Sequence, residues 1–281
     1  MSENPEQDLR AWIGRHETTE DLLAPFPARG MAALLDRDPG EFREGSLLPN
    51  CWHWLYFNPV VRRSGLGEDG HPHRGGFLPP VTLPRRMWVG GRLRFDGPLR
   101  LGDRATRRSE IKDVVVKEGR SGKMVFVTVE HAIAGTDGPA IHEEQDLVYR
   151  GASQSGGGGS GGKPVPEEPD WSEAFLPDPV ALFRYSALTF NGHRIHYDCP
   201  YATAVEGYPG LVVHGPLTAT LLVDAATRQA GRPPDSYTYR AVSPLFCGDP
   251  VTIAGRRGAG DGTMAVWAGN HHRELAMTGT V

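Results

Sequence analysis

Polar side chains of the kinds that move protons crowd into one short segment, which runs from Tyr185 to Asp198. An imidazole can accept or release a proton near neutral pH. An amide can orient a water molecule but cannot take up a proton at that pH. The segment therefore predicts a site for acid–base chemistry, and its candidate groups are Asn191, His193, Arg194, His196 and Asp198.

A second segment, Gly207 to Pro216, ends where a helix is predicted over Pro216–Ala230. Leucine and alanine recur there at helical spacing, Pro216 suits the first helical position, and Gly215 suits the cap. The first N–H groups of a helix are unpaired and carry partial positive charge. They could hold a thioester oxygen that becomes negative. With an imidazole and a water nearby, this set suffices to add water across an α,β-unsaturated thioester, or to remove it.

These elements must be positioned by a larger fold, and the chain divides into two halves. Residues 153–162 consist almost entirely of glycine and serine and cannot build a core. We predict a first half at residues 1–150, a linker at 151–169 and a second half at 170–281. The sequence leaves open whether the linker is natural or engineered.

The two halves resemble each other. The sequence Pro-Leu-x-x-Gly-Asp occurs in Gly97–Asp103 and again in Ser243–Asp249, and strand-like runs follow both copies. Each half also carries a candidate helix before its strands, at 27–36 and 216–230. A helix followed by antiparallel strands predicts an α+β layer fold. Two such units side by side would let the sheet continue across the pair.

The motifs resemble the R-specific enoyl-CoA hydratase group of MaoC-like dehydratases. Thr189–His196 occupies the frame of that family's catalytic loop, and Val213–Leu217 occupies the frame of its central helix start. The resemblance implies a tandem double hot-dog, with two antiparallel sheets that each wrap a long helix and form a pseudo-dimer. It also implies that His196 is the catalytic histidine and that the Gly215 amide belongs to the oxyanion hole.

Two departures from the family motif bear on the chemistry. Asn191 replaces the family's catalytic Asp, and His193 replaces its Asn. Asn191 would then position the water, while His196 does all the acid–base work or shares it with Asp198 or His193. Arg194 could pair with a second carboxylate on the substrate, or it could be an exposed loop arginine. The predicted substrate-binding residues are Arg194, His193, His214, Asp198 and Tyr208.

Outside the linker, most of the chain resembles the double-hot-dog hydratases of the mesaconyl-C4-CoA and itaconyl-CoA type. The matching segments include 187–198, 206–217, 69–72, 75–80 and 85–88. The resemblance implies a hydro-lyase that adds water to a short dicarboxylic unsaturated acyl-CoA and needs no cofactor. The second half would be catalytic, and the first half would wall the substrate tunnel. Two alternatives stay open: a 3-hydroxyacyl-thioester dehydratase of fatty-acid or polyketide assembly, and a non-catalytic acyl-thioester-binding protein.

Composition narrows the remaining classes. The net charge of −4 argues against broad nucleic-acid binding, which needs a basic footprint. Three distant cysteines predict neither a disulfide framework nor a structural zinc site. The polar, acidic start and the lack of a long apolar run predict a cytoplasmic protein without a membrane span. No metal is predicted, because the pair His193 and His196 lacks a third ligand. The sequence leaves the oligomeric state open, and a homo-oligomer is one of the possibilities.

Two basic or histidine-rich stretches have ambiguous roles. Residues 85–112 are rich in arginine and form either a solvated sheet face or a grip for the coenzyme A phosphates. His71 and His73 lie in a loop rich in glycine and proline, which favours the surface over the site.

Overall fold

A computed structural model describes residues 9–119, 122–151, 162–166, 168–258, 260 and 262–281. The described strands are β1 (His16–Leu22), β2 (Arg85–Phe95), β3 (Arg104–Gly119), β4 (Gly122–Gly135), β5 (Gly138–Arg150), β6 (Trp171–Phe175), β7 (Ser236–Ala241), β8 (Val251–Arg257), β9 (Met264–Gly269) and β10 (Leu275–Thr280). The α-helices are α1 (Pro25–Leu34), α2 (Pro179–Leu188) and α3 (Gly215–Ala230). Short 3-10 turns and one π-helical turn, Tyr201–Val205, lie between them.

All ten strands form one antiparallel sheet in the order β1-β3-β4-β5-β2-β7-β10-β9-β8-β6. The order of the first five strands is the mirror of the order of the last five, with β2 and β7 meeting at the centre. Gly91 lies opposite Tyr239 at this seam. The sheet therefore continues from one half into the other, as the internal repeat predicts.

The strands follow the predicted positions but are longer in the first half. The strand-like run that follows Gly97–Asp103 is β3, which reaches Gly119, and the next strand, β4, reaches Gly135. Along β4, Val125, Val127 and Val129 are buried in alternation with less buried neighbours. This period of two gives the sheet one apolar face.

The helices differ between the halves. The predicted helix at 216–230 is α3, which begins one residue earlier at Gly215 and ends at the left-handed Gly231. Helix α1 occupies the predicted position in the first half but spans Pro25–Leu34, because Asp36 adopts a positive φ. Helix α1 follows the first strand of the first half, just as α2 follows the first strand of the second half, so these two helices correspond to each other. Helix α2 was not predicted from the sequence. In the described residues, the long helix therefore belongs to the second half alone.

Helix α3 packs on β7, β8, β9 and β10, and its first three turns are buried almost completely. The two halves also touch through α1 and α2. An ion pair joins Arg37 of the first half to Asp224 of α3 at 2.8 Å, and Arg228 binds the other oxygen of the same carboxylate. These contacts tie α3 and α2 to the first half.

Most of the predicted linker lies outside the described residues, so its extent stays a prediction. Of residues 162–166, Gly162 and Pro164 contact Glu274, and Val165 donates a backbone hydrogen bond to Arg273. The end of the predicted linker is therefore attached to the second half just before β10. In the part of the chain that is described, no helix is long and apolar enough to cross a membrane.

Candidate active site

A cavity of about 1500 Å³ lies between the two halves and is lined by residues from both. Five of the predicted site residues reach its wall: Asn191, His193, His196, Tyr208 and Gly215. Residues 52–57 of the first half include four aromatic residues: Trp52 is buried in the core, while Trp54, Tyr56 and Phe57 line the cavity. The tandem arrangement therefore builds one chamber from both repeats.

His196 is held in a defined orientation beneath the cavity surface. Its Nδ1 lies 2.7 Å from the carbonyl oxygen of Val212, which can only accept a hydrogen bond, so Nδ1 carries the proton. Val212 is fixed in turn by its backbone bond to Ile195 and its bridge to Phe246. Burial lowers the pKa of His196 to about 4. The ring is therefore neutral at pH 7, and its Nε2 is free to accept a proton.

His214 lies directly against His196 and does not line the cavity. The two rings stack with centroids 3.7 Å apart and planes 17° apart. Ser186 of α2 makes a 2.8 Å hydrogen bond with Nε2 of His214. Burial holds the pKa of His214 well below its usual value. The predicted substrate-binding role of His214 is therefore not supported by its position, which is behind the catalytic ring.

Gly215 begins α3 at the cavity wall, where its N–H has no intrahelical partner. A Cβ at this position would lie 2.8 Å from the indole of Trp88, so only glycine allows this close approach. Trp88 is itself stacked on Tyr239, with ring centroids 4.5 Å apart. The packing of β2 and β7 thus sets the position of the helix start.

Asn191 reaches the cavity, but its side-chain oxygen already accepts the backbone N–H of His193 at 3.0 Å. The amide nitrogen is then the group left to face a ligand, and it can only donate. Asn191 can hold a water by donating to its oxygen, but it offers little as an acceptor for the water's hydrogens.

Arg194 and Asp198 are not among the residues that line the cavity. Their side chains bind each other at 2.8 Å, and the Arg194 guanidinium lies 4.0 Å from the ring centre of Tyr201. Arg194 also donates to the carbonyl oxygen of Glu68 in the first half. The position of these two residues does not support the predicted substrate-binding role, because both side chains are engaged in contacts between loops. Tyr208 does reach the cavity, beneath the guanidinium of Arg85.

A loop of the first half brings Asp69 and His71 to the catalytic segment, which the sequence analysis did not anticipate. The His71 ring contacts the His193 ring at 4.1 Å between centroids, and His193 contacts His196 edge-on at 5.4 Å. Four imidazoles thus form a row from His71 to His214. The only signal in the sequence was the match of residues 69–72 to the hydratase subgroup.

Ligand atoms of Asp69, His71 and His193 lie within 4.8 Å of one another, a spacing that could hold a metal ion. The same proximity follows from the 3.1 Å hydrogen bond between Asp69 and His71 and from the ring contact. The arrangement is therefore explained without a metal, and the expectation of no metal or cofactor stays a prediction.

The basic stretch 85–112 serves two faces of the sheet. Arg92 and Lys112 pair with acidic partners, among them Glu144, on the exposed face. Arg85, Arg86 and Arg107 line the cavity instead. The solvated-face interpretation therefore holds for part of the stretch, and phosphate binding stays a prediction.

Comparison with known proteins decides the family. The profile of hydroxyacyl-thioester dehydratase type 2 matches residues 51–247, which is more than half of the chain. The chain belongs to this family. It is 46% identical over 258 residues to mesaconyl-C(4)-CoA hydratase of Chloroflexus aurantiacus, a match that covers 89% of each protein. It is 30% identical to the mitochondrial hydroxyacyl-thioester dehydratase type 2 of Schizosaccharomyces pombe, covering 74% of this chain and 77% of that protein.

Solved structures of other proteins share the fold of this chain. A MaoC-like dehydratase superposes with a TM-score of 0.73 at 15% identity, covering 96% of this chain and 98% of that one. A Mycobacterium tuberculosis protein described as a double hot-dog superposes with a TM-score of 0.57 at 12% identity, covering 95% and 94%. The expected MaoC-like relationship and hot-dog fold are confirmed, and the family assignment makes the chain a hydro-lyase.

Proposed function

We propose that this hydro-lyase adds water to a short dicarboxylic α,β-unsaturated acyl-CoA of the mesaconyl-C4-CoA or itaconyl-CoA type, without a metal or redox cofactor. The observation that carries the proposal is that one cavity is lined both by the neutral, buried imidazole of His196 and by Gly215, whose N–H starts α3. The 46% identity to a mesaconyl-C(4)-CoA hydratase supports the choice of substrate class.

The proposed reaction follows from two groups. Nε2 of His196 takes one proton from water as the water oxygen bonds to the β-carbon. The electron pair of the double bond moves onto the thioester oxygen, where the Gly215 N–H and the positive end of α3 stabilise the enolate. The imidazolium then gives the same proton to the α-carbon. Water is thereby added in full, and His196 returns to its neutral form.

Arg86 is our candidate for the group that holds the second carboxylate of the substrate. It lines the cavity opposite Tyr149 in the β2–β5 pair, and its charge helps lower the pKa of both His71 and His193. Among the described residues no carboxylate pairs with it, whereas Arg85 beside it is paired with Glu206. A guanidinium that has no carboxylate partner and whose charge acts on these imidazoles can bind a carboxylate with two parallel hydrogen bonds.

The test of the function is the loss of the enoyl-thioester absorbance with itaconyl-CoA, mesaconyl-C4-CoA and crotonyl-CoA in parallel. We expect turnover with a preference for a dicarboxylic substrate, and we expect His196→Gln to lower kcat by about 10²–10⁴-fold while the protein stays folded. Full turnover by a folded His196→Gln variant would remove the assignment. Turnover only of carrier-protein thioesters would favour the fatty-acid or polyketide alternative, and binding without turnover would favour the non-catalytic one.

The role of Arg86 has its own control within the same assay. Arg86→Gln should raise KM for the dicarboxylic substrates and leave crotonyl-CoA turnover nearly unchanged, because crotonyl-CoA has no second carboxylate. Arg92→Gln is the matched control, since Arg92 lies on the same strand but pairs with Glu144 and Asp146 on the exposed face. An equal loss on all three substrates would show that Arg86 is not the carboxylate clamp.

The acyl-CoA substrate, a cytoplasmic location and the absence of nucleic-acid partners belong to the same proposal. The family assignment and the bacterial relative support the first two at a coarse level. The roles of His196, Asn191, Gly215, His193 and Tyr208 stay predictions that the assays above can check.

A further inference from the structure

We infer that Asp69 and His71 of the first half complete the active site. His71 accepts a hydrogen bond from the attacking water, and Asp69 holds His71 in the tautomer that can accept it. The inference rests on the proposed hydration. It makes the first half a contributor to catalysis instead of a tunnel wall alone.

The loop that carries these residues is closed on itself. Leu66 pairs with Pro72 as an isolated bridge, and the Gly67 N–H donates to the carbonyl oxygen of His71 at 2.8 Å. The His73 N–H donates to the carbonyl oxygen of Gly65 at 2.9 Å. His71 therefore lies in a turn that is held by backbone hydrogen bonds.

The loop is also docked on the catalytic segment. The Arg194 N–H donates to the carbonyl oxygen of Asp69 at 2.9 Å, and its guanidinium donates to that of Glu68 at 3.0 Å. Gly70 has φ +86° and packs on Gly192 so closely that a Cβ would overlap the carbonyl of Gly192. Backbone contacts thus set the distance between the two halves at this point.

Asp69 fixes the proton of His71 on one ring nitrogen. One carboxylate oxygen accepts the backbone N–H of His71 at 3.0 Å, and the other lies 3.1 Å from its Nδ1. Burial alone would raise the pKa of Asp69, but these bonds and the nearby imidazoles hold it well below its usual value. An ionised carboxylate can only accept, so Nδ1 carries the hydrogen and Nε2 carries the lone pair.

Nε2 of His71 has no hydrogen-bond partner in the part of the chain that is described, and the ring lines the cavity. The charged groups that act on it are Asp69 on its own loop and the guanidinium groups of Arg86 and Arg74, with His193 in ring contact. Burial and the arginines lower the pKa of His71, so the ring is a neutral acceptor at pH 7.

A second acceptor is needed because water has two hydrogens. His196 accepts one, and the Asn191 oxygen is engaged with the backbone of His193. His71 and His196 both contact the ring of His193, so they lie one imidazole apart. His193 itself has no carboxylate that fixes its tautomer in the described residues. His71 is therefore the group prepared to accept the second hydrogen.

The experiment compares four variants with the wild-type chain in the enoyl-CoA assay. His71→Ala should lower kcat by about 10²-fold with little change in KM, and added imidazole should restore part of the activity. His71→Gln keeps an acceptor and should be more active than His71→Ala. Asp69→Asn should lower kcat because the His71 ring is then no longer held in the tautomer that leaves Nε2 as an acceptor. His16→Gln is the control, an exposed histidine of the first half that is not among the residues lining the cavity, and it should keep its activity.

Several outcomes would overturn the inference. One is a His71→Ala variant with wild-type kcat in a preparation where His196→Gln is inactive. Another is a loss of kcat in His71→Ala that added imidazole does not restore and that is equally large in His71→Gln. This result would indicate that His71 has a structural role. A third is a stoichiometric metal in the purified wild-type protein that is lost in Asp69→Asn. If the wild-type chain turns over none of the three thioesters, the proposed function fails instead.

Discussion

The ring of His214 stacks on the ring of His196 at 3.7 Å, and Ser186 holds it there from α2. His214 is also the residue that precedes the first turn of α3. One side chain therefore joins the catalytic imidazole to the helix start that provides the oxyanion-binding N–H. The relative position of these two groups depends on a contact that is not itself exposed to substrate.

Removing this support should weaken catalysis. His214→Ala leaves a cavity behind His196 and should lower kcat by about tenfold, the effect of about 1.4 kcal/mol, because His196 loses a stacked neighbour. His214→Phe restores a flat ring without the Ser186 bond and should recover most of the loss. The measurements are kcat for both variants and their thermal unfolding. Equal activity of His214→Ala and wild type would show that the stacking does not matter.

The pH dependence should reflect the lowered pKa of His196. Burial lowers this pKa to about 4 in the folded chain, and it returns to about 6.5 on unfolding. We expect kcat/KM to persist at about pH 5.5, where a histidine of ordinary pKa would be mostly protonated. An acid limb near 6.5 would contradict the burial of His196 in the working enzyme.

Stability should fall in the same window. Between about pH 6.5 and about pH 4 the unfolded chain binds protons that buried histidines of the folded chain exclude, so the free energy of unfolding falls as pH falls. His131, whose pKa burial lowers to about 4, acts in the same direction as His196. Within this window, each such histidine lowers the free energy of unfolding by about 1.4 kcal/mol for each pH unit that the pH falls. Thermal or denaturant unfolding between pH 7 and pH 4.5 measures this, and a flat profile would contradict it.

The helix start should tolerate no side chain at Gly215. Gly215→Ala brings a Cβ to 2.8 Å from the Trp88 indole, so the indole or the helix start must move. We expect kcat to fall by about 10-fold or more, since oxyanion stabilisation depends on position. Trp88→Leu in the same chain makes room and should recover part of the activity. If Gly215→Ala alone matches the wild type, the N–H of residue 215 is not in the oxyanion hole.

The seam between the halves should depend on Gly91. A Cβ there would lie 2.6 Å from the carbonyl oxygen of Glu144 and would overlap the Tyr239 hydroxyl. Gly91→Ala should therefore lower the free energy of unfolding by about 1–3 kcal/mol. Gly119→Ala is the control, because nothing lies within 4 Å of a Cβ at that position. Denaturant unfolding of both variants tests the comparison, and equal stability would show that the seam can relax.

Sequence patterns determined much of this protein without tertiary information. Local signals placed α3 within one residue, because Gly215, Pro216 and Gly231 act through backbone conformation alone. The repeat Pro-Leu-x-x-Gly-Asp identified the two halves and the continuing sheet, since each copy precedes the same series of strands. The motif from Thr189 to His196 predicted the catalytic loop, because the types and the spacing of its side chains can be read directly from the sequence.

Tertiary structure decided which of those side chains face the substrate. Arg194 and His193 are neighbours in the chain, yet Arg194 turns to Asp198 and Glu68 while His193 enters the cavity. His71 lies more than a hundred residues away and reaches the same row of imidazoles. Spacing along a chain does not specify the direction of a side chain in an irregular loop, nor the docking of a loop from the other half. Those depend on packing and backbone hydrogen bonds between distant segments, which form only when the two halves share one sheet.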